Sequence, residues 1–174
     1  MPAYGKPLFS KAEIGKRVQE MGGQISKDYK GEDLVLVGVM NGAFIFMADL
    51  CRAISLPISV DYMGLSSFNG RSKGRGAVRI ASDLNVNIAG KNVLIVEDII
   101  NSGLTVEYLI KNLHAREPKS VKVCTLLDKA EKRRNGFKPD YAGFVIPNRY
   151  VVGYGLDYND QYRNLPYIAV LGEE

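Results

Sequence analysis

Two adjacent carboxylates followed by a small polar turn form the part of this sequence most able to do chemistry. In the stretch NVLIVEDIINSGLTVEYLI, an apolar run typical of a buried strand ends at Glu97 and Asp98, and residues 101–105 then lead into a helical pattern. In parallel α/β sheets, ligands bind beyond the carboxyl ends of the strands. A turn rich in Ser, Gly and Thr before a helix offers backbone N–H groups and the positive end of the helix dipole to a phosphate.

The paired carboxylates indicate what else such a ligand carries. Beside a phosphate they would repel it, unless a cation or sugar hydroxyls lay between the negative groups. Mg²⁺ bound by one or two carboxylates and by substrate oxygens, together with a ribose diol, meets that requirement. The alternative interpretation is an acidic strand end followed by an ordinary turn and helix cap, and it leaves the two adjacent carboxylates unexplained.

The rest of the sequence predicts an α/β framework that positions this turn. Ser10 followed by Glu13 matches a capping box at the start of a helix over residues 10–28. Near-continuous apolar runs alternate with helical periodicities, which predicts a parallel sheet covered by helices, and the strand-rich last third predicts a smaller antiparallel flap. The predicted strands cover residues 34–39, 58–63, 77–82, 92–98, 121–127, 141–146, 150–156 and 167–171, and further helices cover residues 43–54 and 104–114.

The composition is that of a globular protein and argues against several classes. Of 174 residues, 46% are hydrophobic and 24% are charged, so we expect one domain over residues 1–174. The net charge of +4 suits anionic small molecules as well as nucleic acid. No apolar run reaches the ~18 residues of a membrane span, and the opening MPAYGKPLFSKAE lacks the apolar segment of a secretion signal. These features predict a cytoplasmic protein, and the lack of clustered His or Cys argues against zinc, haem and iron–sulfur sites.

One segment breaks the strand–helix pattern. GLSSFNGRSKGRG, residues 64–76, contains four glycines and the cations Arg71, Lys73 and Arg75, and it shows no apolar periodicity. A loop of that length inside a compact domain is usually functional or disordered.

The turn segment closely resembles the 5-phosphoribosyl-1-pyrophosphate (PRPP) motif of type I phosphoribosyltransferases. Four further segments, VGVMNGAFIFMADL, DYMGLSSF, LLDKAEKRR and YVVGYGLDYNDQYRNLPYIAVL, resemble the 6-oxopurine branch of that family, the hypoxanthine–guanine phosphoribosyltransferases. The five segments follow in the family's order over residues 34–171. The resemblance implies the type I phosphoribosyltransferase fold, with a central parallel sheet flanked by helices, a mobile lid loop at residues 64–76 and a small hood.

The same resemblance implies an activity. The protein would be a purine salvage enzyme that transfers the 5-phosphoribosyl group of PRPP to hypoxanthine or guanine and forms IMP or GMP and pyrophosphate. Its cofactor would be Mg²⁺, and the family pattern implies a homodimer or homotetramer. No nucleic-acid or membrane partner is expected, since the basic run at residues 132–134 is too small a footprint for nucleic acid.

Roles for individual residues follow from the resemblance alone. The residues that would bind PRPP are Glu97, Asp98, Asn101, Ser102, Gly103, Leu104 and Thr105. The residues that would bind pyrophosphate are Met40, Asn41, Gly42, Ser67, Phe68 and Arg163. The purine would be bound by Lys129, Tyr150, Val151 and Asp157, and Mg²⁺ would be held by Glu97, Asp98 and Asp157. Lys129 would select a 6-oxopurine by donating to its O6 atom, and Asn101 and Lys129 would be the catalytic residues.

Three positions depart from the family pattern. Asn101 stands where the family has the aspartate that handles the proton at purine N7, Asn41 replaces a usual lysine, and Phe68 replaces a usual tyrosine. An amide cannot act as a general base near neutral pH, and general acid–base catalysis typically contributes ~10²–10⁴-fold, so we expect lowered activity. The alternative is a non-catalytic regulator on the same fold that senses PRPP or a nucleotide.

Overall fold

A computed structural model describes residues 7–68, 77–133 and 136–172. Helices and strands alternate through most of this part of the chain, as the sequence predicts. In chain order the elements are β1 (Pro7–Phe9), α1 (Lys11–Asp28), β2 (Leu34–Met40), α2 (Phe44–Ala53), β3 (Ser59–Phe68), β4 (Ala77–Ser82), β5 (Asn92–Ile100), α3 (Leu104–His114), β6 (Ser120–Asp128), a 3₁₀ turn (Ala130–Lys132), β7 (Tyr141–Val145), β8 (Val151–Val152) and β9 (Ile168–Val170).

A six-stranded sheet forms the centre of the molecule. Its strand order is β4-β3-β2-β5-β6-β7, and all neighbours are parallel except β3 and β4. A separate antiparallel sheet of order β1-β9-β8 forms a small hood. The predicted α/β class, the central parallel sheet and the smaller antiparallel unit are therefore confirmed.

The central strands are buried on both faces because their side chains alternate between two apolar cores. Leu94 of β5 packs with α1 and α2 on one face, whereas its neighbours Val93 and Ile95 pack with α3 on the other. Such two-sided burial produces the unbroken apolar runs seen in the sequence. In the described part of the chain, no helix has the length and apolar character needed to cross a membrane.

The start of α1 is fixed by the predicted capping box. The Glu13 backbone N–H donates to the Ser10 hydroxyl (3.3 Å), and the Ser10 backbone N–H donates to the Glu13 carboxylate (2.8 Å).

Ser10→Ala should lower the free energy of unfolding by about 1 kcal/mol, since it removes the acceptor for an N–H group of the first helical turn. Chemical denaturation measures this change. Lys11→Ala, at the next exposed position, should change stability by less than ~0.5 kcal/mol, and equal losses in both variants would contradict the capping role.

The prediction of a loop over residues 64–76 was wrong for its first five residues, 64–68, which belong to β3. β3 continues through Phe68 and pairs antiparallel with β4, so that Leu65 lies opposite Ile80. Both of these side chains pack against the core on the α3 face. Because these residues are rich in glycine and serine, the sequence did not predict a strand here, although Leu65 contacts the apolar core. Residues 69–76, the remainder of the predicted lid, lie outside the described residues.

The strand predicted over residues 150–156 is also shorter than expected. Only Val151–Val152 is strand, because Gly153 and Gly155 adopt left-handed conformations with φ of 98° and 100° and turn the chain. A Cβ at Gly155 would lie 2.2 Å from the carbonyl oxygen of Gly42. This glycine therefore lets the hood lie directly against the turn after β2.

Candidate active site

The carboxyl ends of β2 and β5 lie side by side and form the floor of the site. Their parallel register pairs Gly38 with Val96, so the residues that follow meet at one edge of the sheet. The Met40–Asn41 peptide bond at the end of β2 is cis. A Cβ built on Gly42 would lie 1.8 Å from Oδ2 of Asp98. Only a residue without a side chain fits between this turn and the Asp98 carboxylate.

Glu97 and Asp98 lie at the end of β5 with little exposure to water. Glu97 is 7% exposed and Asp98 is half-buried. Burial raises the pKa of Glu97 well above its usual value, and the charge of Asp98 raises it further. Burial also raises the pKa of Asp98, against the hydrogen bond donated by the Ile99 backbone N–H (2.7 Å) and the charge of Arg163. A cation or hydroxyl donors beside the pair would favour the ionised forms, which suits a magnesium-bound or sugar ligand.

Residues 101–103 turn the chain from β5 into α3. Gly103 stands at the N-cap with φ of 82° and has no side chain to cap the helix, while the Ser102 hydroxyl accepts a 3.5 Å hydrogen bond from the Leu104 N–H. The Gly103 carbonyl accepts a hydrogen bond from the Glu107 N–H (3.0 Å). Because Gly103 has no side chain to cap the helix, backbone N–H groups of the first turn can donate to a ligand at the positive end of the helix dipole. We call residues 101–105 the phosphate turn, since this arrangement suits an anion.

Two adjoining cavities bring most of the predicted ligand-binding residues together. The smaller one, about 220 Å³, is lined among these residues by Met40, Gly42, Glu97, Asp98, Asn101, Ser102, Gly103 and Thr105. The larger one, about 880 Å³, is lined among them by Asp98, Asn101, Ser102, Leu104, Lys129, Tyr150, Val151 and Asp157. Asp98, Asn101 and Ser102 line both cavities, so one ligand can extend from the first into the second.

Lys129 lies at the floor of the larger cavity and Tyr150 at its rim. Lys129 is 6% exposed and Tyr150 is 77% exposed, with the Lys129 Nζ 5.8 Å from the centre of the Tyr150 ring. Burial lowers the pKa of Lys129, and the charge of Lys132 lowers it further. Within the described residues, no carboxylate forms an ion pair with Lys129. Lys129 therefore offers the cavity a buried cationic donor, and Tyr150 offers it an exposed aromatic face.

Asp157 and Arg163 form an ion pair at the edge of the larger cavity. Arg163 Nη2 lies 2.8 Å from Asp157 Oδ1, and Arg163 Nη1 donates to the Gly155 carbonyl (2.8 Å). The Asp160 N–H donates to Asp157 Oδ2 (3.0 Å). Among the described residues, no three Asp, Glu, His or Cys side chains group closely enough to form a metal site by themselves. The structure thus pairs Asp157 with Arg163 rather than joining it to Glu97 and Asp98 in one cluster.

Three predicted pyrophosphate ligands lie in the turn after β2 and near the end of β3, the two strands that border this edge. Asn41 is exposed in the turn after β2. Ser67 and Phe68 lie near the end of β3, past Gly64, which pairs with the last residue of β2. Their backbone therefore continues beyond the carboxyl end of β2, and their side chains lie outside the described part of the structure.

Two features of the site were not predicted from the sequence. Arg133, within a basic run, is buried and donates to the backbone carbonyl of Asn101 (2.7 Å) while it pairs with Asp128. Gly155 of the hood contacts the turn at Gly42. A basic run carries no signal that one of its members is buried, and the glycine contact joins parts of the chain that are distant in sequence.

Comparison with known proteins places this geometry in a family. A family model described as a phosphoribosyl transferase domain matches residues 7–159. The hypoxanthine-guanine phosphoribosyltransferase of Bacillus subtilis is 45% identical over 166 residues, which cover 95% of this chain and 92% of that protein. The bifunctional protein TilS/HprT of Listeria innocua is 45% identical over 97% of this chain, which spans only 26% of that longer protein.

The solved structures agree with the sequence comparison. The crystal structure of a hypoxanthine-guanine phosphoribosyltransferase from Bacillus anthracis superimposes with a TM-score of 0.92 at 41% identity, and the match covers 97% of this chain and 99% of that one. The sequence matches, the fold and the position of the phosphate turn thus indicate the same family. The chain belongs to the phosphoribosyltransferase family, and within it to the hypoxanthine–guanine phosphoribosyltransferases.

Proposed function

We propose that this chain transfers the 5-phosphoribosyl group of PRPP to N9 of hypoxanthine or guanine and releases pyrophosphate, forming IMP or GMP. The observation that carries the proposal is the continuity of the two cavities. One end has the phosphate turn and the paired carboxylates, and the other has the buried Lys129 below the exposed Tyr150. Relatives named as enzymes of this activity support catalysis, and they give no support to the alternative of a non-catalytic regulator.

PRPP would lie across the smaller cavity. Its 5′-phosphate fits the phosphate turn, where backbone N–H groups and the hydroxyls of Ser102 and Thr105 supply hydrogen bonds. The ribose hydroxyls would donate to Glu97 and Asp98, which favours the ionised carboxylates. The remaining candidates, which would receive the pyrophosphate, are Met40, Asn41, Gly42, Ser67, Phe68 and Arg163.

Mg²⁺ is the cofactor that this site fits. Burial, and then the charge of the adjacent Asp98, raise the pKa of Glu97, and a cation bound by the two carboxylates would offset both effects. Mg²⁺ is usually held by one or two carboxylates plus substrate oxygens, and Glu97 and Asp98 would supply those carboxylates. When bound, it neutralises charge on the departing pyrophosphate. Asp157, held by Arg163, is the proposed further metal ligand.

The base would lie in the larger cavity. The Lys129 ammonium, a donor without an acceptor of its own, suits O6 of hypoxanthine or guanine and leaves the amino group of adenine unmatched. Tyr150 would stack on the purine, and the backbone of Val151 and Asp157 would contact the base edge. Lys129 would thus determine which purine the chain accepts.

The transfer itself would depend on positioning and electrostatics. The ribose becomes cationic as pyrophosphate leaves, and Glu97 and Asp98 hold the sugar and stabilise that charge. Asn101 lies between the two cavities, where its side chain can hydrogen-bond purine N7 but cannot accept a proton as a carboxylate would.

Asn101→Asp should raise kcat by up to ~10²-fold, because a carboxylate can take the purine proton that an amide cannot. The KM for PRPP should change little, since the phosphate is held mainly by backbone N–H groups that the substitution leaves in place. Steady-state kinetics of both proteins between about pH 6 and pH 9 measures the effect. If the variant is no faster anywhere in that range, proton transfer does not limit the reaction and the amide is a working alternative.

We also propose that the protein acts in the cytoplasm as a homodimer or homotetramer. Val60 and Tyr62 alternate with buried residues on β3 and are 39% and 38% exposed, and Phe44 of α2 is 39% exposed. Exposed apolar side chains of this size are typical of a surface that a second copy covers. Sedimentation equilibrium of the purified protein tests this proposal, and a monomer at all concentrations would contradict it.

Acceptor competition tests the proposed function. With PRPP and Mg²⁺ present, hypoxanthine and guanine should each yield the corresponding nucleotide, while adenine at the same concentration should react at least ~10²-fold more slowly. A protein that prefers adenine, or that binds PRPP and transfers to no purine, would contradict the proposal. Salt-sensitive retention of RNA or DNA instead of turnover would favour a nucleic-acid-binding role.

A further inference from the structure

A buried ion pair lies beside the phosphate turn and has no role in the steps described above. The side chains of Arg133 and Asp128 are 7% and 10% exposed, and Arg133 Nη2 pairs with Asp128 Oδ1. Arg133 Nη1 donates to the backbone carbonyl of Asn101 at 2.7 Å. The guanidinium carbon lies 5.8 Å from the centre of the Phe137 ring. One planar group therefore joins the end of β6 to the phosphate turn.

We propose that Arg133 is a positioning residue for the phosphate turn. Anchored by Asp128, it holds the Asn101 carbonyl and so fixes the backbone that receives the 5′-phosphate, together with the start of the Asn101 side chain. This inference rests on the proposed function, because it assigns a cause to the geometry of the PRPP site.

Asp128, which anchors Arg133, is held by backbone hydrogen bonds to the segments on both sides of β6. Asp128 is the last residue of β6 and lies opposite Ile100, and the Lys129 N–H donates to the Ile100 carbonyl (3.0 Å). The Asp128 carbonyl accepts a hydrogen bond from the Ile146 N–H (2.9 Å). A strand end held by both neighbouring segments gives Arg133 a fixed reference. The guanidinium then uses its planar fork of donors to reach two acceptors at once, which a lysine ammonium on a flexible stem does less well.

Arg133→Lys separates positioning from simple packing. Lysine keeps the charge beside Asp128 but loses the forked geometry, so the hydrogen bond to Asn101 should be weakened or lost. We expect the dissociation constant of ribose 5-phosphate, measured by calorimetry, to rise about tenfold, in line with loss of one charged hydrogen bond. The KM for hypoxanthine at saturating PRPP should rise by a clearly smaller factor, because Lys129, the proposed partner of O6, is not moved.

Two further variants complete the experiment. Asp128→Asn keeps the guanidinium but weakens its anchor, so it should shift ribose 5-phosphate binding in the same direction by a smaller factor. Arg116→Lys is the matched control: Arg116 also pairs with a carboxylate, Asp83 (2.8 Å), and bonds Asn112 (2.8 Å), but at the far end of α3. The control should leave ribose 5-phosphate binding unchanged.

The outcomes distinguish this inference from the proposed function. If Arg133→Lys and Asp128→Asn lower only the melting temperature, while ribose 5-phosphate binds as in the original protein, Arg133 is a packing residue and the inference is overturned. Equal losses for the sugar phosphate and for hypoxanthine also overturn it. If the original protein does not bind ribose 5-phosphate at all, that result would instead contradict the proposed function.

Discussion

Lys129→Met is expected to lower kcat/KM for hypoxanthine by about 10³-fold and to leave PRPP binding nearly unchanged. Methionine matches the lysine stem in length but donates no hydrogen bond, so O6 of the base would be buried without a partner. Sites built to hydrogen-bond a substrate group lose several powers of ten when that bond cannot form. Lys129 is buried and no carboxylate forms an ion pair with it among the described residues, so we propose that O6 of the base is its acceptor.

Initial-rate kinetics with each substrate varied in turn measures both constants. Lys111→Met is the control, since Lys111 lies on the surface of α3 in a 3.0 Å ion pair with Glu107 and should tolerate the same change. If Lys129→Met weakens PRPP and hypoxanthine equally, Lys129 does not contact the base and the assignment of the larger cavity is wrong.

Gly42→Ala is expected to lower kcat/KM for PRPP by about 10²-fold or more while the protein remains folded. A Cβ at this position would lie 1.8 Å from Asp98 Oδ2, so either the carboxylate or the turn after β2 must move. A displacement of about 1 Å in catalytic groups commonly costs about 10²-fold in rate. Gly42 also contacts Gly155, so the shift is expected to disturb the hood as well.

Gly23→Ala provides the matched control for the same chemical change. Gly23 is an exposed residue of α1, and a Cβ there meets no atom within 4 Å. This variant should keep full activity and gain up to about 1 kcal/mol in stability, because alanine favours helix. Wild-type kinetics in Gly42→Ala would show that Asp98 needs no exact position, contrary to the role given to the carboxylate pair.

The fold was predictable where local patterns and tertiary packing agree. The two-sided burial of β5 produces a continuous apolar run, and the capping box of Ser10 and Glu13 marks the start of α1. The extension of β3 to Phe68 was not predictable, since Leu65 is held by its partner Ile80 across the hairpin. Pairing between strands decides such a case, and the local composition alone points the other way.

Parts of the candidate site were predictable from the sequence and other parts were not, for the same reason. The phosphate turn and the paired carboxylates form a continuous stretch of sequence, so the geometry of a strand end and a helix start could be anticipated from it. The burial of Arg133 and the close approach of Gly155 to Gly42 depend on segments brought together only by the fold. The ion pair of Asp157 with Arg163 is likewise a tertiary feature, because either residue alone reads as a surface charge.

The stoichiometry of the products shows whether these cavities transfer a phosphoribosyl group to a 6-oxopurine. The purified chain is incubated with PRPP, Mg²⁺ and hypoxanthine, and IMP and pyrophosphate are quantified in the same samples. We expect equal amounts of IMP and pyrophosphate, and loss of both in an Asp98→Asn variant that still folds. Pyrophosphate released without IMP, or no turnover by the wild-type chain despite PRPP binding, would rule out phosphoribosyl transfer to the base.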